Sequence, residues 1–415
     1  MINIFWFCPK LTNYFFIFTK KIKKEGEKLM KKFLTLMLAA LMAFSLVGCG
    51  GGNGTETVEE DYDVIFLADL GSIYDGGFNE HSFYGIKDYC EEKGLKYTYL
   101  QPAGNDDASR VTIFEQAVNQ MKAEVLVAVG FLWDAALCQQ IPNYPDVKVI
   151  FVDADDLYNI DYDYDGVDDS LEHQDNLAMI TFAEQDCGFM AGYASVMDGY
   201  TKLGFFGGMA VPAVIRFGYG WLEGAEAAAK ELGLEDGAIE CKYYYTGTFD
   251  ASPDQVTFVS NWYTEGTELV FSCGGTIVNS VITAAKDGEN RKIVGVDTDE
   301  YYTRSAVEGQ PEPLFITSAM KSLENTIYDA VAAAYAGGAD WTRYTEAGLI
   351  RLGAKESAAV IAPYRAENWR TFTQEQYDAV NAKVVELHDS LSTDTKTIEE
   401  VSAGLTKVVV TYIEK

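Results

Sequence analysis

The strongest constraint in this sequence is an alternation that runs through once and then starts again. Apolar runs of strand length are separated by amphipathic stretches of helix length. DVIFLADL, from Asp63, is a strand of buried type. Asn79 to Lys93 sets Phe83, Ile86, Tyr89 and Cys90 on one helical face. LKYTYL is a strand, Ser109–Met121 a helix, VLVAVG a strand and Asp134–Gln140 a short helix. VKVIFVDA and LAMITF (177–182) complete the half. The second half begins with a helix at Gln185–Met197, then KLGFFGGM, a long helix at Ala213–Leu232, and IECKYYY. A helix at Pro253–Tyr263 precedes ELVFSCGG, and one at Val278–Lys286 precedes KIVGVD. LFITSAMK leads into a helix at Leu323–Tyr335. Beyond Asp340 the pattern is less regular, with a helix at Gln374–Leu391 and a final strand within Thr406–Glu414. Apolar runs without polar alternation suit strands covered on both faces, and strand–helix alternation implies parallel sheets. Two α/β units of similar plan are therefore expected, without a residue-level repeat.

Composition agrees and excludes. The 415 residues are 48% apolar, a globular composition long enough for two cores. Sixty-three Asp+Glu against 32 Lys+Arg give a net charge of −31, which opposes binding to nucleic acid or anionic lipid. The histidines (His81, His173, His388) are far apart and no cysteine pair has CxxC spacing, so a zinc site has little to build on. There is no Walker A loop, GxSxG or HExxH, which disfavours an enzyme. Cys90, Cys138, Cys187, Cys241 and Cys273 sit mostly in apolar surroundings and are expected as buried thiols.

The first fifty residues are of another kind. Met30 to Cys49 reads MKKFLTLMLAALMAFSLVGC: a basic start, a short apolar run, and Leu46-Val47-Gly48-Cys49, which resembles a lipoprotein signal cleavage site. Residues 30–48 are thus expected as a signal peptide and Cys49 as the lipidated N-terminus. Residues 49–61 are expected as a flexible tether on the extracytoplasmic face of the cell membrane. Residues 1–29 do not suit a signal, and Met30 is the expected start. Residues 1–48 carry eight lysines and two glutamates, so the chain from Cys49 carries −37.

In open α/β sheets, ligands bind outside the carboxyl ends of the strands. Those ends here carry Asp69, Trp133, Asp153, Gly207-Gly208, Gly274-Gly275, Asp297 and, after Thr317-Ser318, Lys321. Carboxylates accept sugar hydroxyls and aromatic side chains hold flat rings. GSIYDGGFNEHSFYG and GGMAVPAVIRFGYGWLEGA resemble signature segments of the basic membrane protein (BMP) family. TGTFDASPDQ, SCGGTIVNSV, VGVDTDE and TSAMKS follow in that family's order. These are lipoprotein substrate-binding components of ABC transporters that import purine nucleosides.

The resemblance implies a type I periplasmic-binding-protein fold: α/β, with two doubly wound parallel-sheet lobes joined by a hinge. The N-terminal lobe would hold 62–183 and about 315–338, the C-terminal lobe 184–314 and about 339–415. It also implies that Phe78 stacks on a purine and that Asn79, Asp69 and Asp153 serve the base and the pocket wall. Phe249, or else Phe217, would take the other face, Trp133 would supplement them, and Gly275 would line the site. Asp297 and Lys321 would bind ribose. ABC permease and ATPase subunits are the implied partners, with no cofactor required. The family usually has a larger residue pair before Phe-Asn than Gly76-Gly77, which leaves the base preference open. Other readings stand beside these: Asp153 as a turn residue, Phe217 as helix packing, Lys321 as a surface residue. For the whole chain, the alternatives are a sugar or autoinducer ligand, or a sensor lipoprotein.

A separate motif lies in a stretch that the resemblance implies is an insertion. Asp161-Tyr-Asp-Tyr-Asp-Gly-Val-Asp-Asp-Ser-Leu-Glu172 matches D-x-D-x-D-G-x5-E. Asp161, Asp163, Asp165, the Val167 carbonyl, Asp169 and Glu172 would be the calcium ligands. A solvated acidic loop is the alternative.

Overall fold

A computed structural model describes residues 60–68, 70–163, 165–305 and 312–414. The expected start, signal peptide, Cys49, almost all of the tether and Asp69 lie outside the described residues.

The elements follow in chain order. The first half holds β1 (Val64–Leu67), α1 (Phe78–Lys93), β2 (Tyr97–Leu100), α2 (Asp107–Glu115), β3 (Val125–Val129), α3 (Asp134–Gln140), β4 (Lys148–Val152) and β5 (Leu177–Phe182). The second holds α4 (Glu184–Met197), β6 (Lys202–Gly207), α5 (Pro212–Glu231), β7 (Ile239–Tyr245), α6 (Pro253–Thr264), β8 (Leu269–Cys273), α7 (Val278–Lys286), β9 (Lys292–Asp297), α8 (Glu300–Thr303) and β10 (Phe315–Lys321). Then come α9 (Leu323–Ala336), α10 (Gly338–Thr345), β11 (Leu349–Leu352), β12 (Ala359–Ile361), α11 (Gln374–Leu387), α12 (Ile398–Ala403) and β13 (Val408–Ile413).

The strands form two sheets, ordered β11-β5-β4-β3-β1-β2 and β12-β10-β9-β8-β6-β7-β13. Each contains the doubly wound order 2-1-3-4-5. Only the β10–β12 pair is antiparallel among the described strands. VIFL in β1, VLVAV in β3 and LAMITF in β5 are buried throughout, as strands covered on both faces must be. The α/β, two-lobe expectation is what the chain adopts.

The lobe boundaries differ from expectation. Phe315–Lys321 pairs with β9 and belongs to the second sheet. Gly338–Leu352 returns to the first lobe, where Leu349–Leu352 runs parallel to Met179–Phe182. The physical reason is edge coverage: β11 pairs with the outer side of β5, which would otherwise be an unpaired edge. The chain therefore passes between lobes three times, at 182–184, 321–323 and 352–359. The Ser109–Met121 expectation is also adjusted. The helix starts at Asp107, capped by Asp106 (Ser109 N donates to its Oδ1, 2.9 Å), and Gln116–Gln120 form a π-helical turn.

Two helices meet backbone to backbone beside the first crossing. A Cβ at Gly188 or Gly192 of α4 would sit 2.3 and 2.1 Å from the carbonyl oxygens of Phe217 and Trp221. A Cβ at Gly220 or Gly224 of α5 would sit 2.1 and 2.0 Å from those of Gln185 and Phe189. This contact fixes Glu184, at the head of α4, against Arg216 near the head of α5.

Candidate ligand cleft between the lobes

The two sheets present equivalent ends to one cleft. The fourth strand of each lobe leads into an aspartate in the left-handed region, Asp153 at φ 60° and Asp297 at φ 63°. This conformation is uncommon outside glycine, and aspartate tolerates it better than most residues. It turns both carboxylates toward one ammonium. Lys321 Nζ lies 3.0 and 3.1 Å from the Asp153 oxygens and 3.3 Å from Asp297 Oδ1. Glu184 Oε1 stands 3.8 Å away.

These are buried charges, and their matching decides their state. Burial pulls the Lys321 ammonium toward neutrality, but Asp153, Asp297 and Glu184 outweigh it and raise its pKa. Burial raises the Asp297 carboxyl against the pull of Lys321. Burial likewise raises Glu184 against Arg216. Arg216 Nε donates to Glu184 Oε2 at 2.6 Å and its Nη1 to Asp394 at 2.9 Å. The network runs from the cleft into the second lobe through the first crossing.

Aromatic side chains complete the cleft. Phe78 is the first residue of α1, and Asp75 sets that helix end. Its Oδ1 accepts from Gly77 N (2.7 Å) and Glu80 N (3.2 Å), and its Oδ2 from Asn79 N and Nδ2 (both 3.1 Å). Asn79 Nδ2 also donates to the Leu70 carbonyl at 3.0 Å, so this amide ties the loop to the helix. In the second lobe Phe249 sits on glycine. A Cβ at Gly208, Gly274 or Gly275 would lie 2.4, 2.7 or 2.8 Å from it. The Lys321 ammonium is 4.8 Å from the Phe78 ring centre and 5.6 Å from that of Phe217, within cation–π range.

Phe78, Asn79, Asp153, Phe217, Phe249, Gly275, Asp297 and Lys321 line one cavity of about 80 Å³, room for several waters. Trp133 does not reach it. Its side chain is fully buried, and Nε1 donates to the Ala68 carbonyl at 3.3 Å. The short turn Phe131–Trp133 directs Phe131 to the cavity instead. Sequence reasoning missed Phe131, Asp75, Glu184 and Arg216. A charge inside the apolar run VIRFG was the one available signal for Arg216.

The acidic loop lies apart from this cavity. Asp161, Asp163 and Asp169 bring carboxylate oxygens within 4.8 Å of one another; Asp165 and Glu172 do not join them. Asp165 Oδ1 instead accepts from Val167 N at 2.7 Å, the Val167 side chain is exposed, and Glu172 is exposed. Desolvation and then Asp163 raise the Asp169 carboxyl. The loop carries no flanking helices. The five cysteines among the described residues are free thiols, four of them buried.

With this geometry known, similarity to other proteins becomes informative. Residues 62–388 match the family Bmp, ABC transporter substrate-binding protein PnrA-like. The chain belongs to the Bmp family. It is 24% identical over 317 residues to the ABC transporter nucleoside-binding protein BmpA of Lactococcus lactis subsp. cremoris, covering 72% of this chain and 83% of that one. It is 27% identical over 336 residues to an uncharacterized lipoprotein of Pyrococcus abyssi, covering 78% and 75%. A solute-binding protein of an ABC transporter system from Aeropyrum pernix shares the fold, with TM-score 0.59 and 22% identity over 82% of this chain and 90% of that one. The match includes every residue that lines the cleft and ends before α12 and β13 of the second lobe.

Proposed function

We propose that this Bmp-family protein binds a purine nucleoside between its lobes and delivers it to the permease of an ABC importer, rather than transforming it. The reading rests on one observation: aromatic side chains from both lobes flank a cavity whose polar wall is Asp153, Asp297 and Lys321. The base would lie between Phe78 or Phe131 and Phe249, each face contributing about 0.5–1.5 kcal/mol beyond burial. Asp297 and Lys321 would take ribose hydroxyls, which accept and donate in the directions those groups require. Asn79, Asp153 and Asp69 would serve the base and the wall. The name of the Lactococcus relative, a nucleoside-binding protein, supports a nucleoside as the ligand. We further propose lipid attachment at Cys49 on the extracytoplasmic face, supported by relatives named as lipoproteins. ABC permease and ATPase subunits are the proposed partners.

Calorimetry with inosine, guanosine, adenosine and ribose tests the ligand class. Binding of at least one purine nucleoside, and none of ribose, is expected. Binding of free ribose with no heat from any nucleoside would overturn it in favour of the sugar reading. We also propose that Asp161, Asp163 and Asp169 bind calcium in the acidic loop. Sensitised terbium luminescence displaced by calcium is expected, and background emission from the wild-type chain would refute the site.

A further inference from the structure

A second contact crosses the cleft, away from Lys321. Arg304 follows α8 in the second lobe. Its Nε donates to Glu300 Oε1 at 2.7 Å, and Glu300 is fully buried. Glu300 is itself held: its Oε2 accepts from Val296 N at 3.2 Å, and its own N donates to Ser318 Oγ at 3.1 Å. The guanidinium is thus aimed from a rigid base. Its Nη1 donates to the Asp75 carbonyl of the first lobe. Asp75 is the residue whose side chain sets the N-terminus of α1 beneath Phe78 and Asn79.

The next two residues make the approach possible. A Cβ at Gly76 would lie 3.3 Å from Arg304 Nη1 and 3.4 Å from the Thr303 carbonyl oxygen. One at Gly77 would lie 3.0 Å from Arg304 Nη2. Gly76 also adopts φ 65°. Larger side chains here would stand between the lobes.

We propose that Arg304 is a positioning residue that latches the closed cleft, holding the second lobe against the loop that carries Phe78 and Asn79. It touches no ligand. It acts by adding a charge-assisted hydrogen bond that exists only when the lobes are together. The proposal rests on the reading of the cleft as a site that closes over a nucleoside, and its consequence is kinetic. Breaking a latch made after encounter speeds release and leaves association nearly unchanged.

Stopped-flow release of inosine, together with small-angle scattering of the ligand-free protein, tests it. R304A is expected to release inosine about tenfold faster, as for one lost hydrogen bond to a charged donor. Its association rate should stay close to wild type, while loss of the Glu300 counter-charge lowers its melting temperature, so release is compared well below the melting transition of either protein. R304K keeps the charge near Glu300 but lacks the fork, and should fall between. G77A should speed release in the wild-type background and add little to R304A, because both remove the same contact. Without ligand, R304A should scatter with a larger radius of gyration than wild type. Unchanged release and radius in R304A would overturn the latch, as would a G77A effect of equal size in both backgrounds. If inosine gives no heat with wild type, the ligand reading fails, and the scattering comparison alone decides the latch.

Discussion

The two lobes share a plan but reach the cleft differently. Both have the strand order 2-1-3-4-5 and a left-handed aspartate after the body of the fourth strand. Both follow the third strand with a left-handed glycine, Gly130 or Gly274, and a short 3-10 turn. The next residue differs: Phe131 in the first lobe, Gly275 in the second. Phe131 puts an aromatic ring in the cleft directly. Gly275 makes space, and Phe249 from the loop between β7 and α6 fills it. The aspartates answer to a common lysine, whereas the ring comes from a different element in each lobe. Backbone geometry set by topology is thus repeated, while side chains that shape the ligand are free to move around the scaffold.

The largest effect is expected where the lobes converge. Lys321→Met leaves Asp153, Asp297 and Glu184 without their shared counter-charge and should lower stability by about 3–5 kcal/mol in urea titration. Asp153→Asn should lose more than Asp297→Asn, since Lys321 contacts both Asp153 oxygens and only one of Asp297. Equal losses would make the lobes more alike than their contacts suggest.

Exchanging the differing residue breaks the comparison directly. Gly275→Phe gives the second lobe the first lobe's side chain at φ 57°, against the backbone of Phe249. Calorimetry should then show inosine affinity reduced by about a hundredfold or more. Affinity near wild type would show that the glycine cradle does not seat Phe249.

A pH effect separates the lobes again, because Glu300, three residues after Asp297, is fully buried, whereas Asp156, three residues after Asp153, is not. Burial raises its carboxyl to about 6 against the pull of Arg304. A raised carboxyl favours the folded state below its unfolded pKa of 4.5, and this stability is lost as pH rises through 6. The wild type should therefore lose up to about 2 kcal/mol from this group between pH 4.5 and 7. Glu300→Gln should lack that component. Identical pH profiles from thermal melts of the two proteins would contradict the assignment.

The smallest change is expected at Trp133. Trp133→Phe should lower stability by about 1–2 kcal/mol through lost packing and leave inosine binding unchanged. Weakened binding at unchanged stability would return Trp133 to the cleft.

Much of this was legible in the sequence, for a physical reason. Fully buried parallel strands must be apolar along their length, so β1, β3, β4, β5, β8 and β9 stand out. The carboxyl ends of β4 and β9 then located Asp153 and Asp297, and that of the more polar β10 located Lys321. What escaped was set by tertiary context. LIRL and AVI are short, and the pairing that makes them β11 and β12 is visible only across long sequence separations. Hence the lobe boundaries moved. Phe131 and Trp133 lie in one turn, and only its geometry decides which ring faces the cleft. Glu184 and Arg216 are partnered across a glycine-mediated helix contact that no local pattern announces.

The central claim is that each lobe supplies a ring to one ligand base. Calorimetric titration of inosine into wild type, Phe249→Ala and a double variant carrying Phe78→Ala and Phe131→Ala tests it most directly. Each variant is expected to bind about tenfold more weakly than wild type, or worse. Wild-type affinity in either variant would contradict a base held between the lobes.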